Sequence, residues 1–373
     1  MRNRAISRRG MLQGAAALGM ASALPMAGFG RGGAFAQEGD WAAPVDMEKA
    51  KAGAAELVTY GMPDDWANYG EVYKAFQASL GVTDGKHTDT DMSSLEEITK
   101  FDAEKGNPVA MFADIGMTFG PIATKRDVVP NFLPPLAADL PEGYKGANGG
   151  WVATFAGVPA MVVNTDAAPI EIATWADLLK PELKGKVGSP GDPRSSGTAQ
   201  TTFLAWAYAN GGDSGNMQPG IDFAKQVIQH YNAADSTVDL LEKGEIVCWM
   251  RYDFNCAAAV NALKEKGINA KVVIPGVSIY APSALMRNKY KTATMDTAKA
   301  FSDFVLGDEA AAAFARFGAR PIRYVLGKQE LPDEAKANWL PEEDYKDVVV
   351  VENFTGIDAE TIAAIWDDEV LGG

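Results

Sequence analysis

Leu57-Val58-Thr59-Tyr60 is a short, dense apolar run closed by Gly61-Met62-Pro63, the pattern of a buried strand. Directly after it, Asp64-Asp65 precede Trp66, Tyr69, Val72, Tyr73 and Phe76, whose three- and four-residue spacing predicts an amphipathic helix ending near Gly81. A capping box, Ser93 with Glu96 or Ser94 with Glu97, opens a second helix over 95–105, and Gly106-Asn107-Pro108 stops it before a strand at 109–115. The same alternation continues. A short helix is expected near Met47 to Ala54, a helical turn from Thr174, a strand at 186–188, and a helix over 195–208. Helices at 221–231 and 236–243 and strands at 246–250 and 271–274 follow, then helices at 294–305 and 308–317, a strand at 348–351 and a last helix at 358–366. Strands separated by helices predict an α/β fold built on parallel sheet.

One stretch breaks the alternation. Trp151 to Val163 is long, extended and interrupted by Pro159, which suits a segment crossing between two lobes. Two lobes are also expected from length, because a single core stops growing near ~250 to 300 residues and this chain has 373.

The first 36 residues read as an export signal: Ser7-Arg8-Arg9-Gly10-Met11-Leu12, a Gly/Ala-rich apolar middle, then Ala34-Phe35-Ala36. The paired arginines resemble a twin-arginine leader, which places the mature start near Gln37 and the protein in the periplasm. Without the leader's five arginines, 29 Lys and Arg face 49 Asp and Glu, a net of −20 against −15 for the whole chain. Such a charge opposes phosphate backbones and anionic lipid, so nucleic-acid and membrane-surface roles are disfavoured. Cys248 and Cys256 are the only cysteines. In an oxidising compartment they either pair or serve as small buried fillers.

Signatures of catalysis are sparse. The chain has no Walker loop and no Gly-x-Gly-x-x-Gly after a strand, and His87 and His230 stand alone, so neither cofactor nor metal is expected. Gly212-Asp213-Ser214-Gly215 reads as an interhelix turn rather than a nucleophile loop. Asp89, Asp91 and Ser93 start like a calcium loop, but Lys100 stands where a bidentate Glu belongs.

Two segments carry candidate chemistry. Asp192-Pro193-Arg194-Ser195-Ser196-Gly197-Thr198 lies between a strand and a helix, where hydroxyls and free amides at a helix start offer donors to an anionic or strongly polar ligand group. Trp249-Met250-Arg251-Tyr252-Asp253 follows the strand at 246–248; Arg251 suits a carboxylate or phosphoryl group, and Asp253 an amine. Other strand ends contribute Met62 and Asp64, Met117, and Tyr280, which together make a cleft rather than a catalytic triad. An anionic ligand is the favoured reading. A cationic one, held by Asp64, Asp114 and Asp253 with Trp66, Trp249 and Tyr280, is the second.

These residues also resemble a family. Thr174-Trp175-Ala176-Asp177-Leu178-Leu179, Pro181-Glu182-Leu183-Lys184-Gly185-Lys186-Val187 and Asp192 to Thr198 together look like a block of extracellular solute-binding proteins of ABC importers. The branch includes ferric-iron, thiamine and phosphonate or sugar-phosphate binders. The resemblance runs from about Leu57 to Trp366 and implies a type II periplasmic-binding-protein fold with a ligand cleft between two α/β lobes. The first lobe would comprise 37–157 with about 276–320, and the second 158–275 with part of 321–373. It further implies ligand contacts at Ser195, Ser196, Gly197, Thr198, Arg251 and Tyr252, and a monomer that hands a small solute to a membrane permease. The tyrosine pair of ferric binders is missing at Arg251-Tyr252, which speaks against iron. An exported enzyme of the same architecture and a sensing partner of a membrane receptor are the alternatives from other classes; scarce His and Cys weigh against the enzyme.

Overall fold

The computed structural model of the chain describes residues 39–372 except 353, 355 and 356. The expected leader and its cleavage point near Ala36 lie outside the described residues. In chain order the strands are β1 (Glu56–Tyr60), β2 (Lys86–Thr90), β3 (Phe112–Gly116), β4 (Trp151–Gly157), β5 (Pro159–Asn164) and β6 (Val187–Gly188). They continue as β7 (Cys248–Tyr252), β8 (Ala270–Val273), β9 (Ser278–Ile279), β10 (Ala281–Arg287), β11 (Arg320–Pro321) and β12 (Val348–Val349). The helices are α1 (Met47–Ala54), α2 (Tyr69–Ser79), α3 (Ser94–Ala103), α4 (Gly120–Lys125), α5 (Gly197–Ala209) and α6 (Gln218–Val227). After them come α7 (Val238–Glu242), α8 (Asp253–Glu265), α9 (Met295–Phe304), α10 (Asp308–Phe317), α11 (Ile322–Val325) and α12 (Ala359–Ile365).

Two main sheets organise the molecule. The larger runs β11-β4-β10-β3-β1-β2, and the smaller runs β6-β7-β5-β8. In the larger sheet β1 is parallel to β2 and β3, while β10 is antiparallel to β3 and β4, so the sheet is mixed rather than parallel throughout. β2 escapes the apolar pattern because Lys86-His87-Thr88-Asp89-Thr90 is an edge strand with exposed and half-buried residues in alternation. β10 is equally hidden: it is buried throughout, yet carries Pro282 and Ser283.

The crossing expected at 151–163 is present, with only Val158 between β4 in one sheet and β5 in the other. The start of α8 braces it. Asp253 accepts the Val158 amide at 2.9 Å and the Tyr345 hydroxyl at 2.6 Å, while its own amide donates to the Val158 carbonyl at 2.8 Å. The return from β8 through β9 to β10 is tied to the first crossing by Ser278 Oγ, which donates to the Pro159 carbonyl at 2.8 Å.

Parallel pairing determines where the strand ends fall. Tyr60 lies opposite Thr90 and Ala113, and Gly116 opposite Ser283, so the chain leaves β1, β2 and β3 at one rim of the larger sheet. In the smaller sheet Gly188 lies opposite Trp249, which brings the 189–196 loop, the start of α5 and the end of β7 together. Ligands of open α/β sheets gather at such carboxyl ends. Cys248 and Cys256 are buried free thiols. Burial raises both thiol pKa values, that of Cys248 to about 12.

Candidate functional site

The two rims enclose a cavity of about 310 Å³. Its first wall comes from the larger sheet: Gly61, Pro63, Asp65 and Trp66 after β1, Asp91 to Ser94 and Glu97 after β2, Asp114 and Gly116 in β3, and Ser283 in β10. Its second wall comes from the smaller sheet: Ser196, Gly197 and Thr198 at the start of α5, Arg251 and Tyr252 at the end of β7, and Asn255 in α8.

The expected helix from Asp64 begins only at Tyr69. Ala67 and Asn68 hold left-handed backbone, φ 49° and 73°, and the intervening loop carries Trp66 to the cavity. There its indole nitrogen donates to Asp114 Oδ2 at 2.6 Å, and its ring lies 6.2 Å from that of Tyr252 on the second wall. Tyr252 is held by Thr201 Oγ1 at 3.0 Å. Aromatic packing therefore bridges the walls.

The walls also touch through backbone. A Cβ built on Gly116 would stand 2.6 Å from the Gly197 Cα, and one on Gly197 would stand 2.7 Å from the Gly116 Cα. Across the walls the Leu95 amide donates to the Ser195 carbonyl at 3.3 Å and Thr118 Oγ1 donates to Gln200 at 2.5 Å, while within the first wall the Gly116 amide donates to Ser94 Oγ at 3.0 Å. Only glycine at both positions lets the chains meet so closely.

On the second wall, Ser196 caps α5 by accepting from the Ala199 amide at 3.3 Å. The Gly197 and Thr198 amides donate to no described group and open on the cavity. Beside them, the half-buried Arg251 stacks over Trp249 at 4.6 Å and makes no side-chain hydrogen bond or ion pair among the described residues. Desolvation lowers its pKa.

The first wall is acidic. Asp114 is buried, which pushes its pKa up to about 7 despite hydrogen bonds from Trp66 and, at 3.2 Å, Tyr69. Glu97 is 1% exposed, and its Oε2 has no partner among the described residues. Burial, with Asp114, Asp89, Asp91 and Glu96 around it, raises its pKa well above the usual carboxylate range.

Of the residues expected at the site, Ser196, Gly197, Thr198, Arg251 and Tyr252 line this cavity, as do Trp66 and Asp114 from the cationic reading. Arg251 and Tyr252 belong to the strand rather than following it, since β7 runs two residues beyond the apolar run. Asp192 and Trp249 line an adjoining cavity of about 660 Å³ that shares Ser196, Thr198 and Arg251. There Asp192 grips Arg194 at 2.6 Å, and the Trp249 indole donates to the Ser189 carbonyl. The others lie elsewhere. Met62 and Met117 are core residues, Asp64 is exposed and sits 2.7 Å from His87, and Ser195 makes the interwall backbone contact. Asp253 is the hinge brace, and Tyr280 donates its amide to the Val349 carbonyl at 2.9 Å. Asp65, Asp91, Ser93, Ser94, Glu97, Gly116, Asn255 and Ser283 escape a reading of the sequence for the site, because they are scattered over six segments with no shared spacing. Gly212 to Gly215 is a turn closed by Asp213 Oδ1, which accepts the Gly215 and Asn216 amides. Among the described residues no three His, Cys, Asp or Glu side chains converge as a metal site requires.

Two sheets joined by paired crossings around a polar cavity make the two-lobed fold of the type II periplasmic binding proteins. The chain belongs to the bacterial extracellular solute-binding proteins, whose family model matches residues 111–348. Among curated proteins it is similar to a sulfate-binding protein of Synechocystis, 29% identical over 162 residues, or 41% of this chain and 44% of that one. The chain thus spans less than half the length of that relative. Among solved structures it superposes on the periplasmic binding protein AfuA of Actinobacillus pleuropneumoniae with fructose-6-phosphate bound, with TM-score 0.64 and 19% identity over 85% of this chain and 99% of that one. The ferric binding protein of Campylobacter jejuni gives TM-score 0.63 and 18% identity over 84% and 98%. Membership makes this a solute-binding protein of that family.

Proposed function

We propose that the protein captures a small solute bearing an anionic group and delivers it to a membrane permease. The observation that carries this reading is the second wall: two open amides at the start of α5 beside an Arg251 guanidinium with no acidic partner among the described residues. A helix N-terminus and a desolvated guanidinium both favour negative charge, and a guanidinium can grip two oxygens of one carboxylate or phosphoryl group. The names of relatives point the same way, since sulfate and fructose-6-phosphate are both anions. The walls would close on the ligand, because contacts from both lobes form only in the closed state.

Isothermal titration of sulfate, inorganic phosphate, sugar phosphates, alkylphosphonates and short carboxylates tests this proposal. At least one class should bind, and Arg251→Ala should weaken it while leaving the fold intact. Undiminished affinity in that variant would remove Arg251 from the site.

A further inference from the structure

The first wall has the opposite chemistry. Asp65, Asp91, Glu97 and Asp114 line the cavity, against Arg251 as its one cationic side chain among the described residues. A purely anionic solute would stand against these carboxyls and leave them without a positive partner. Glu97 is the telling residue. Its neighbour Glu96 spends its carboxylate on capping, accepting from the Ser93 amide at 2.8 Å and hydroxyl at 2.7 Å. Glu97 caps nothing. It points inward, 1% exposed, with Oε2 unpartnered and no basic side chain near it among the described residues. Gly61, at φ +61°, makes its seat, because a Cβ there would overlap the Glu97 carboxylate. A buried carboxyl without a partner is costly to keep. A partner from outside the chain would relieve that cost.

We propose that the cleft takes a dipolar solute, a short aminoalkyl phosphonate, phosphate or carboxylate. Its ammonium group lies against Glu97 and Asp91, and its anionic group against the Gly197 and Thr198 amides and Arg251. This assignment rests on the anion reading of the second wall and extends it. The solute's positive end offsets the acid excess of the first wall.

The test is calorimetric titration with matched compounds of two to four carbons: aminoalkylphosphonates and amino acids, the same anions without the amine, and the alkylamines alone. The dipolar compound of the right length should bind at least about 30-fold more tightly than its des-amino partner. Glu97→Gln should remove most of that preference while changing the des-amino affinity less than about threefold. Asp91→Asn, at an exposed position, serves as a second variant less exposed to folding failure, and should reduce the same preference. A des-amino anion that binds as tightly as its amino partner, with both variants indifferent, overturns the dipolar assignment and leaves the anion reading standing. Equal losses for both compounds in Glu97→Gln would also overturn it, by showing that the carboxyl serves the anion. Alkylamines that bind alone, unaffected by Arg251→Ala, would sink the anion reading instead. Failure of every dipolar compound to bind refutes the proposal outright.

Discussion

The two walls of the cleft are built alike and use the construction differently. Each places a helix start beside the carboxyl end of a strand, α3 on the first wall and α5 on the second. At α3 the chain satisfies its own helix end, because the Ser93 and Glu96 capping box closes it and the next carboxyl, Glu97, turns into the cavity. At α5 the cap is a single serine hydroxyl, and the following two amides stay open. A helix N-terminus favours a ligand anion only where its donors are left unspent. The same element thus yields an acid surface on one side and an anion site on the other.

The largest effect should come from denying the walls their contact. Gly197→Val places a branched side chain on the Gly116 Cα. It should reduce ligand affinity by more than about 100-fold, roughly 3 kcal/mol, in a protein whose circular dichroism and thermal midpoint stay near wild type. Unchanged binding would mean that the walls need not meet. Next comes Arg251→Ala, expected to weaken the anionic group by about 30-fold, near 2 kcal/mol. A loss under about threefold, measured by calorimetry, would make the α5 amides the whole of the anion site.

A pH series separates the walls further. Around Glu97 stand Asp89, Asp91, Glu96 and Asp114, with Arg251 the one positive group across the cavity among the described residues. Asp114, pushed up to about 7 by burial, must lose its proton before it adds to the pull on an ammonium group. Affinity for a dipolar solute should therefore rise from pH 5 to pH 8 by about tenfold. That for its des-amino partner should stay flat or fall.

The smallest effect concerns stability. Asp114 binds its proton up to about pH 7 in the folded chain, against an ordinary value of 3.8. Between those values the folded state holds a proton that the unfolded state has lost, so this group makes stability fall as pH rises through the window. Asp114→Asn should flatten that decline, raising the thermal midpoint at pH 8 relative to pH 5 by a few degrees. An unchanged slope would place the shifted titration elsewhere.

The walls also differ in how far the sequence reveals them. The second wall is legible because its donors are contiguous: Ser196-Gly197-Thr198 and Arg251-Tyr252 each sit at a junction that periodicity marks. Of the first wall only Asp114 and Trp66 are legible. Its acids arrive from four separate segments, one of them behind the polar edge strand β2, and only the parallel register of β1, β2 and β3 gathers them. Asp253 misleads for the opposite reason. It stands next to Arg251 and Tyr252, but α8 starts there and turns its carboxylate to Val158 and Tyr345 at the crossing. Most of the alternating elements are readable, whereas the polar edge strand β2 is not and the antiparallel β10 disappears because Pro282 and Ser283 break its apolar run.

The central claim is that the two walls read opposite charges, and the orientation of a bound ligand tests it most directly. A crystal structure should be determined with the tightest-binding aminoalkylphosphonate or amino acid. The account predicts the ammonium nitrogen within hydrogen-bond distance of Glu97 or Asp91, and the anionic oxygens on the Gly197 and Thr198 amides and Arg251. A ligand bound the other way round, or with its anion on the acid wall beside a protonated Glu97, would contradict it.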